Sequence, residues 1–94
     1  MPKTKYALSS SVLKIFSHPT RLLIVFELLK GKRCVQGINK ILKVPQPNIS
    51  QHLAILKANR IVESKQKGKE MCYCLKKTEL VTSLLEFLKE NKLV

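Results

Sequence analysis

The sequence predicts a mainly α domain with one small β-hairpin, in the order α-α-(β)-α-α-β-β-α. Three observations carry that expectation. Apolar residues recur at helical spacing over most of the chain, alternation of period two is confined to 61–75, and glycine and proline fall where these patterns break. With 94 residues there is room for one domain spanning 1–94. A chain of this size buries only about 60% of its unfolded surface, and three Phe, two Tyr and no Trp leave the core aliphatic. A partner subunit is an expected source of further burial.

The elements follow in order. Tyr6, Leu8, Val12, Leu13 and Phe16 give a first helix ending near Ser17. Pro19 suits the opening turn of a second helix, because the N–H it lacks would have no partner there. That helix runs through Leu22, Leu23, Phe26, Leu28 and Leu29 to Lys30, with Gly31 just beyond its end. His18 reads as a turn or capping residue. After a short extended piece from Lys32 to Val35, Ile38, Ile41 and Leu42 form the apolar face of a helix of two turns, ended by Val44 and Pro45.

A longer helix starts at Gln46 or Pro47 and buries Ile49, Leu53 and Leu56. Asn48, Ser50, Gln51 and His52 are left mostly on the other face, flanked by Lys40, Lys43 and Lys57. Ile61 to Gln66 and Lys69 to Leu75 then pair around Lys67 and Gly68. On the second strand Met71, Tyr73 and Leu75 are expected inward, with Cys72 and Cys74 on the outer face. Thr78 is the expected N-cap of a last helix, and Leu80, Leu84, Leu85 and Leu88 give it more apolar surface than so small a domain needs.

Charge and chemistry narrow the function. Fifteen Lys and three Arg face six Glu and no Asp, a net charge of +12. Of this, +10 lies between Leu29 and Lys77, the footprint expected for phosphate contacts. Two His and scattered Glu offer little for acid–base pairs, and no nucleotide-binding, metalloprotease or hydrolase motif is present, so an enzyme is not expected. The longest apolar run, Leu22 to Phe26, is too short for a membrane span. Met1 to Ser11 shows no secretory signal, and three cysteines make no disulfide framework, so the cytoplasm is the expected compartment. A short helix, a proline-bearing turn, a longer helix with a polar face and a basic hairpin together make a winged helix-turn-helix.

Specific residues strengthen this. Ser17-His18-Pro19-Thr20-Arg21-Leu22-Leu23-Ile24, Cys34-Val35, the segment Pro45 to Leu56 reading PQPNISQHLAIL, Ile61-Val62 and Lys67-Gly68-Lys69 together resemble the ArsR/SmtB family of winged-helix repressors. The resemblance implies a homodimer that binds double-stranded operator DNA, repressing transcription until a metal ion, a metalloid or an oxidising or sulfur species reacts with it. It implies that Gln46, Asn48, Ser50, Gln51 and His52 enter the major groove, where Gln and Asn match adenine edges. Lys57, and Lys65, Lys67 and Lys69 at the wing tip, would hold phosphate or enter the minor groove. The first and last helices would be dimerisation helices, with Leu8, Val12, Leu80, Leu84 and Leu88 at the interface.

The sequence also departs from the family's best-known sensors. A Cys-Val-Cys motif would need a second cysteine where Gln36 stands, and Thr78 to Val94 contains no His, Asp or Cys to serve as metal ligand or persulfide partner. Cys34, Cys72 and Cys74 remain. If the strand before the helix-turn-helix pairs with the hairpin, three thiols share one face, a set suited to trivalent arsenic or another soft metal ion as inducer. Strand neighbours two apart are about 7 Å apart, so Cys34 with Cys72 or Cys74 is the feasible disulfide. The cysteines thus admit a metalloid site, a redox pair or an inert structural role. Two other readings stand beside this one: a winged-helix DNA-binding regulator with no inducer, and a small basic RNA-binding protein.

Overall fold

The computed structural model describes residues 3–43 and 46–94. Its elements are α1 (Lys3–Ile15), α2 (Pro19–Leu28), β1 (Arg33–Cys34), α3 (Val35–Leu42), α4 (Gln46–Ala58), β2 (Val62–Lys67), β3 (Glu70–Leu75) and α5 (Thr78–Glu90). The expected order is found, with a three-stranded antiparallel sheet ordered β1-β3-β2. The expected end of the third helix at Val44 and Pro45 lies outside the described residues. Its last described residue, the C-cap Lys43, is left-handed with φ 54°.

Proline opens α2 as expected. His18 caps it in extended conformation, its Nδ1 accepting the Thr20 backbone N–H at 3.1 Å, so the imidazole satisfies one of the donors a helix start leaves unpaired. Arg21 closes the preceding helix by donating from Nε to the Ile15 carbonyl at 2.7 Å. Gly31, at φ 140°, turns the chain out of α2 into β1, a conformation that L side chains rarely adopt.

The core lies where α2, α3, α4 and the sheet meet. Ile24, Val25, Ile38, Ile49, Leu53, Leu56 and Val62 are fully buried in it. Burial of Ile49, Leu53 and Leu56 fixes the rotation of α4 about its axis, and so decides which of its polar residues face outward. Among the described residues of α1 and the turn after it, only Ile15 and Phe16 join this cluster, whereas Tyr6, Leu8 and Leu13 are more than half exposed. The last helix is anchored by Val81, fully buried, with Leu84 packed on the core edge.

Two local expectations need correction. Lys77, not Thr78, occupies the N-cap position of α5 and makes no side-chain cap bond, and Thr78 is already helical. Thr78 therefore offers α5 no side-chain cap. The outer face of β3 is not uniformly exposed either. Tyr73 and Leu75 do pack toward the core, but Cys72 on the opposite face is only 2% exposed and lies apart from the main core cluster.

Candidate nucleic-acid interface and cysteine pair

Helix α4 presents Asn48, Ser50 and Gln51 to solvent. Gln46 begins the helix, but its side chain lies outside the described residues. Ser50 lines a cleft of about 320 Å³ with Gln36 of α3 and Lys69 of the hairpin, so the polar face of α4 and the basic hairpin border one recess. Gln36 was not foreseen as part of this surface. Its sequence signal, an uncharged polar residue in the first turn of the first helix of the helix-turn-helix, is a weak one. Lys57 is exposed near the far end of α4.

The basic hairpin residues divide into two groups. Lys67 pairs with Glu70 across the turn, and Lys69 follows Gly68, which holds φ 63°; these sit at the tip. Lys65, expected there too, lies at mid-strand opposite Cys72. Its distance from the tip follows from register, because the pairing counts back from Lys67 in steps of one residue.

His52 does not share the exposed face. Its ring lies 4.3 Å from that of His18, tilted by 49°, and its Nδ1 is buried without a hydrogen-bond partner. The reason is rotational: His52 precedes the buried Leu53 and sits on the flank of α4 that meets the start of α2. Burial, aided by the neighbouring His18 and the Arg21 charge, holds its pKa below the usual imidazole value. The unfolded chain therefore binds the extra proton first. Stability contributed by neutral His52 is complete above about pH 6.5 and is lost as pH falls from there through the lower folded-state value. Urea midpoints measured from pH 7 to pH 5 are expected to fall, with a shallower fall in His52→Gln; identical slopes would refute the assignment.

The cysteines meet across the sheet. Register pairs Cys34 with Cys72 and Arg33 with Tyr73, and a disulfide joins Cys34 to Cys72. Cys34 is also the N-cap residue of α3, where its side chain makes no capping bond. The single bond therefore links the first helix of the helix-turn-helix to the middle of the wing. Cys74 is a free thiol whose Sγ donates to Glu63 Oε1 at 3.6 Å. Burial first, and the Glu63 carboxylate second, push its pKa up, with Lys32 acting weakly the other way. It stays protonated and a poor nucleophile. With Cys34 and Cys72 bonded to each other, the trio does not present three thiolates to an ion; among the described residues no group of three His, Cys, Asp or Glu side chains is placed to hold a metal.

The order of helices, the exposed face of α4 and the basic hairpin are those of a winged helix, and the sequence comparison agrees. Residues 18–64 match the family model described as bacterial regulatory protein, arsR family. The chain belongs to the arsR family. It is similar to the HTH-type transcriptional repressor SmtB of Mycobacterium tuberculosis, at 37% identity over 78 residues, covering 83% of this chain and 58% of that protein. The chain thus spans little more than half the length of that relative. Among solved structures, the transcriptional repressor BigR from Xylella fastidiosa superposes with TM-score 0.80 at 28% identity, covering 95% of this chain and 91% of BigR. NolR from Sinorhizobium fredii has TM-score 0.89 at 24% identity, covering 99% and 92% of the two chains, and supports the fold alone. No helix among the described residues is long and apolar enough to cross a membrane.

Proposed function

We propose that this arsR-family chain is a transcriptional repressor, active in the cytoplasm as a homodimer, that binds an inverted-repeat operator and is controlled by the redox state of Cys34 and Cys72. The observation that carries DNA binding is the exposed, uncharged polar face of α4 beside Lys69 on the lysine-tipped hairpin. Asn, Ser and Gln read base edges while lysines neutralise phosphate. Two-fold symmetry sets the half-sites about one helical turn, or a multiple, apart.

Redox control is supported by where the bond falls. Joining Cys34 to Cys72 ties the start of α3 to β3, so the angle between helix-turn-helix and wing differs in freedom between the dithiol and the disulfide. In this reading the dithiol fits operator DNA and the disulfide does not, which makes oxidation and DNA binding oppose each other by linkage. Hydrogen peroxide would supply the oxidation: two thiols and one peroxide give one disulfide and two waters. The bonded pair and the protonated Cys74 favour this branch over a metalloid bound by three thiolates. RNA binding is less well supported, since Tyr73 packs toward the core and offers no stacking platform.

The test is fluorescence anisotropy on the duplex upstream of the protein's own gene. Peroxide treatment is expected to release the wild-type chain, and Cys72→Ser is expected to bind as the reduced protein does and to stay bound. Equal binding by oxidised and reduced protein would leave a regulator without this inducer.

A further inference from the structure

Helix α4 packs against α2, α3 and β2, and where it meets the start of α2 two imidazoles touch. The rings of His18 and His52 lie 4.3 Å apart at a tilt of 49°. Neither ring can take a second proton on Nδ1 without loss. In His18 that nitrogen accepts the Thr20 backbone N–H at 3.1 Å, so a proton there would set two donors against each other and undo the cap of α2. In His52 that nitrogen is buried with no hydrogen-bond partner. The ring therefore fits with its one proton on Nε2, and a second would be a charged donor with nothing to receive it.

A fixed positive charge stands beside the pair. Arg21 donates from Nε to the Ile15 carbonyl at 2.7 Å, which keeps its guanidinium from swinging away when another cation forms nearby. Of the elements packed on α4, α2 and its cap supply the charged and titratable groups that act on His52, namely His18 and Arg21; α3 and β2 add none among the described residues.

We infer that the contact between His18 and His52 is a positioning latch for α4, which holds Ser50 and Gln51 at the angle that base edges require while both imidazoles are neutral, and which opens when acid protonates the pair. The inference rests on the proposed reading of operator DNA by α4. His52 directly follows Gln51 in the helix, so displacing its ring from α2 turns the part of α4 that carries Ser50 and Gln51. Ile49, Leu53 and Leu56, fully buried, keep the helix in place, and what changes is the direction of its polar face. Burial, and after it His18 and Arg21, hold the His52 pKa below the usual imidazole value. Protons thus favour the open latch and operator DNA the closed one, so each opposes the other by linkage. Sequence preference is full above about pH 6.5 and is lost as pH falls from there through the lower folded-state value.

Phosphate attracts any imidazolium, so acid strengthens binding to all DNA, and the quantity to read is the ratio of operator to scrambled-duplex affinity. Anisotropy on the reduced full chain at constant ionic strength is expected to show that ratio falling about tenfold between pH 7.5 and 5.5, while circular dichroism shows the helices intact. His18→Asn combined with His52→Gln replaces both rings by amides that do not titrate, and Asn can still cap α2; the ratio for this variant is expected to be the same at both pH values. A wild-type ratio that holds, a ratio that falls only with unfolding, or an equal fall in the double variant overturns the inference. The tautomer is measured without DNA: long-range 1H–15N spectra at pH 7.5 are expected to show His18 Nδ1 without a proton, and a proton on that nitrogen refutes the latch. Absence of any operator preference at pH 7.5 would instead refute the reading of DNA by α4, with the spectra still deciding the state of the imidazole pair.

Discussion

A chain carrying Ser50→Ala and Gln51→Ala is expected to bind its operator no more tightly than a scrambled duplex. Both side chains are exposed on the first half of α4, while Ile49, Leu53 and Leu56 hold that helix from behind. Alanine is the best helix former, so the substitutions leave the scaffold intact and remove only polar groups. A well-placed base contact is worth about 1–3 kcal/mol of discrimination, and in a homodimer each substitution appears twice. Lys67→Ala should behave differently. Lys67 sits at the hairpin tip; as a phosphate contact, its loss should weaken operator and scrambled DNA alike and lower the salt slope by about one per subunit. Anisotropy titrations on both duplexes at several salt concentrations separate the two patterns. Equal loss of preference from both variants would refute the placement of α4 in the groove.

The parts of this molecule legible in the sequence are those set by local rules. Pro19 after His18 marks the start of α2 because a missing N–H matters least there, and the 3.6-residue spacing of Ile49, Leu53 and Leu56 gives the buried face of α4 directly. What could not be read depends on distant segments meeting. His52 and Gln51 look alike as polar neighbours on one helix, and only the approach of His18, thirty-four positions earlier, separates a half-buried imidazole from an exposed amide. Lys65 looks like a tip residue until the Lys67–Glu70 pairing counts it back to a place opposite Cys72. Alternation predicts the direction of Cys72 and not its burial, because burial depends on which strand lies beside β3. Val81, the anchor of α5, was hidden among more conspicuous leucines: its position facing the core is fixed by how the helix docks.

Leu8→Glu combined with Leu80→Glu is expected to give a folded monomer that has lost most of its operator affinity. Leu8 and Leu80 are 65% and 39% exposed, and with Val12, Ile15 and Ile61 they line a largely apolar groove of about 420 Å³ between α1 and α5. The proposed homodimer would fill that groove with the same elements of a second copy, since a two-fold interface uses one patch twice. Leu84 and Leu88 differ from the others: both are half-buried, and Leu84 packs on its own core, so they would border the interface and not centre it. Neither Leu8 nor Leu80 belongs to the main core cluster, so charge at these positions opposes association more than folding. Two linked half-site contacts exceed one by a factor of about 10²–10⁴ without any new contact, and dissociation to monomers forfeits that factor on a full operator while leaving half-site binding unchanged. Sedimentation equilibrium gives the mass, circular dichroism the fold, and anisotropy on full and half operators the affinities. A variant that stays dimeric would place the interface elsewhere, and a monomer that holds the full operator as tightly as the wild type would mean that each subunit reads DNA alone.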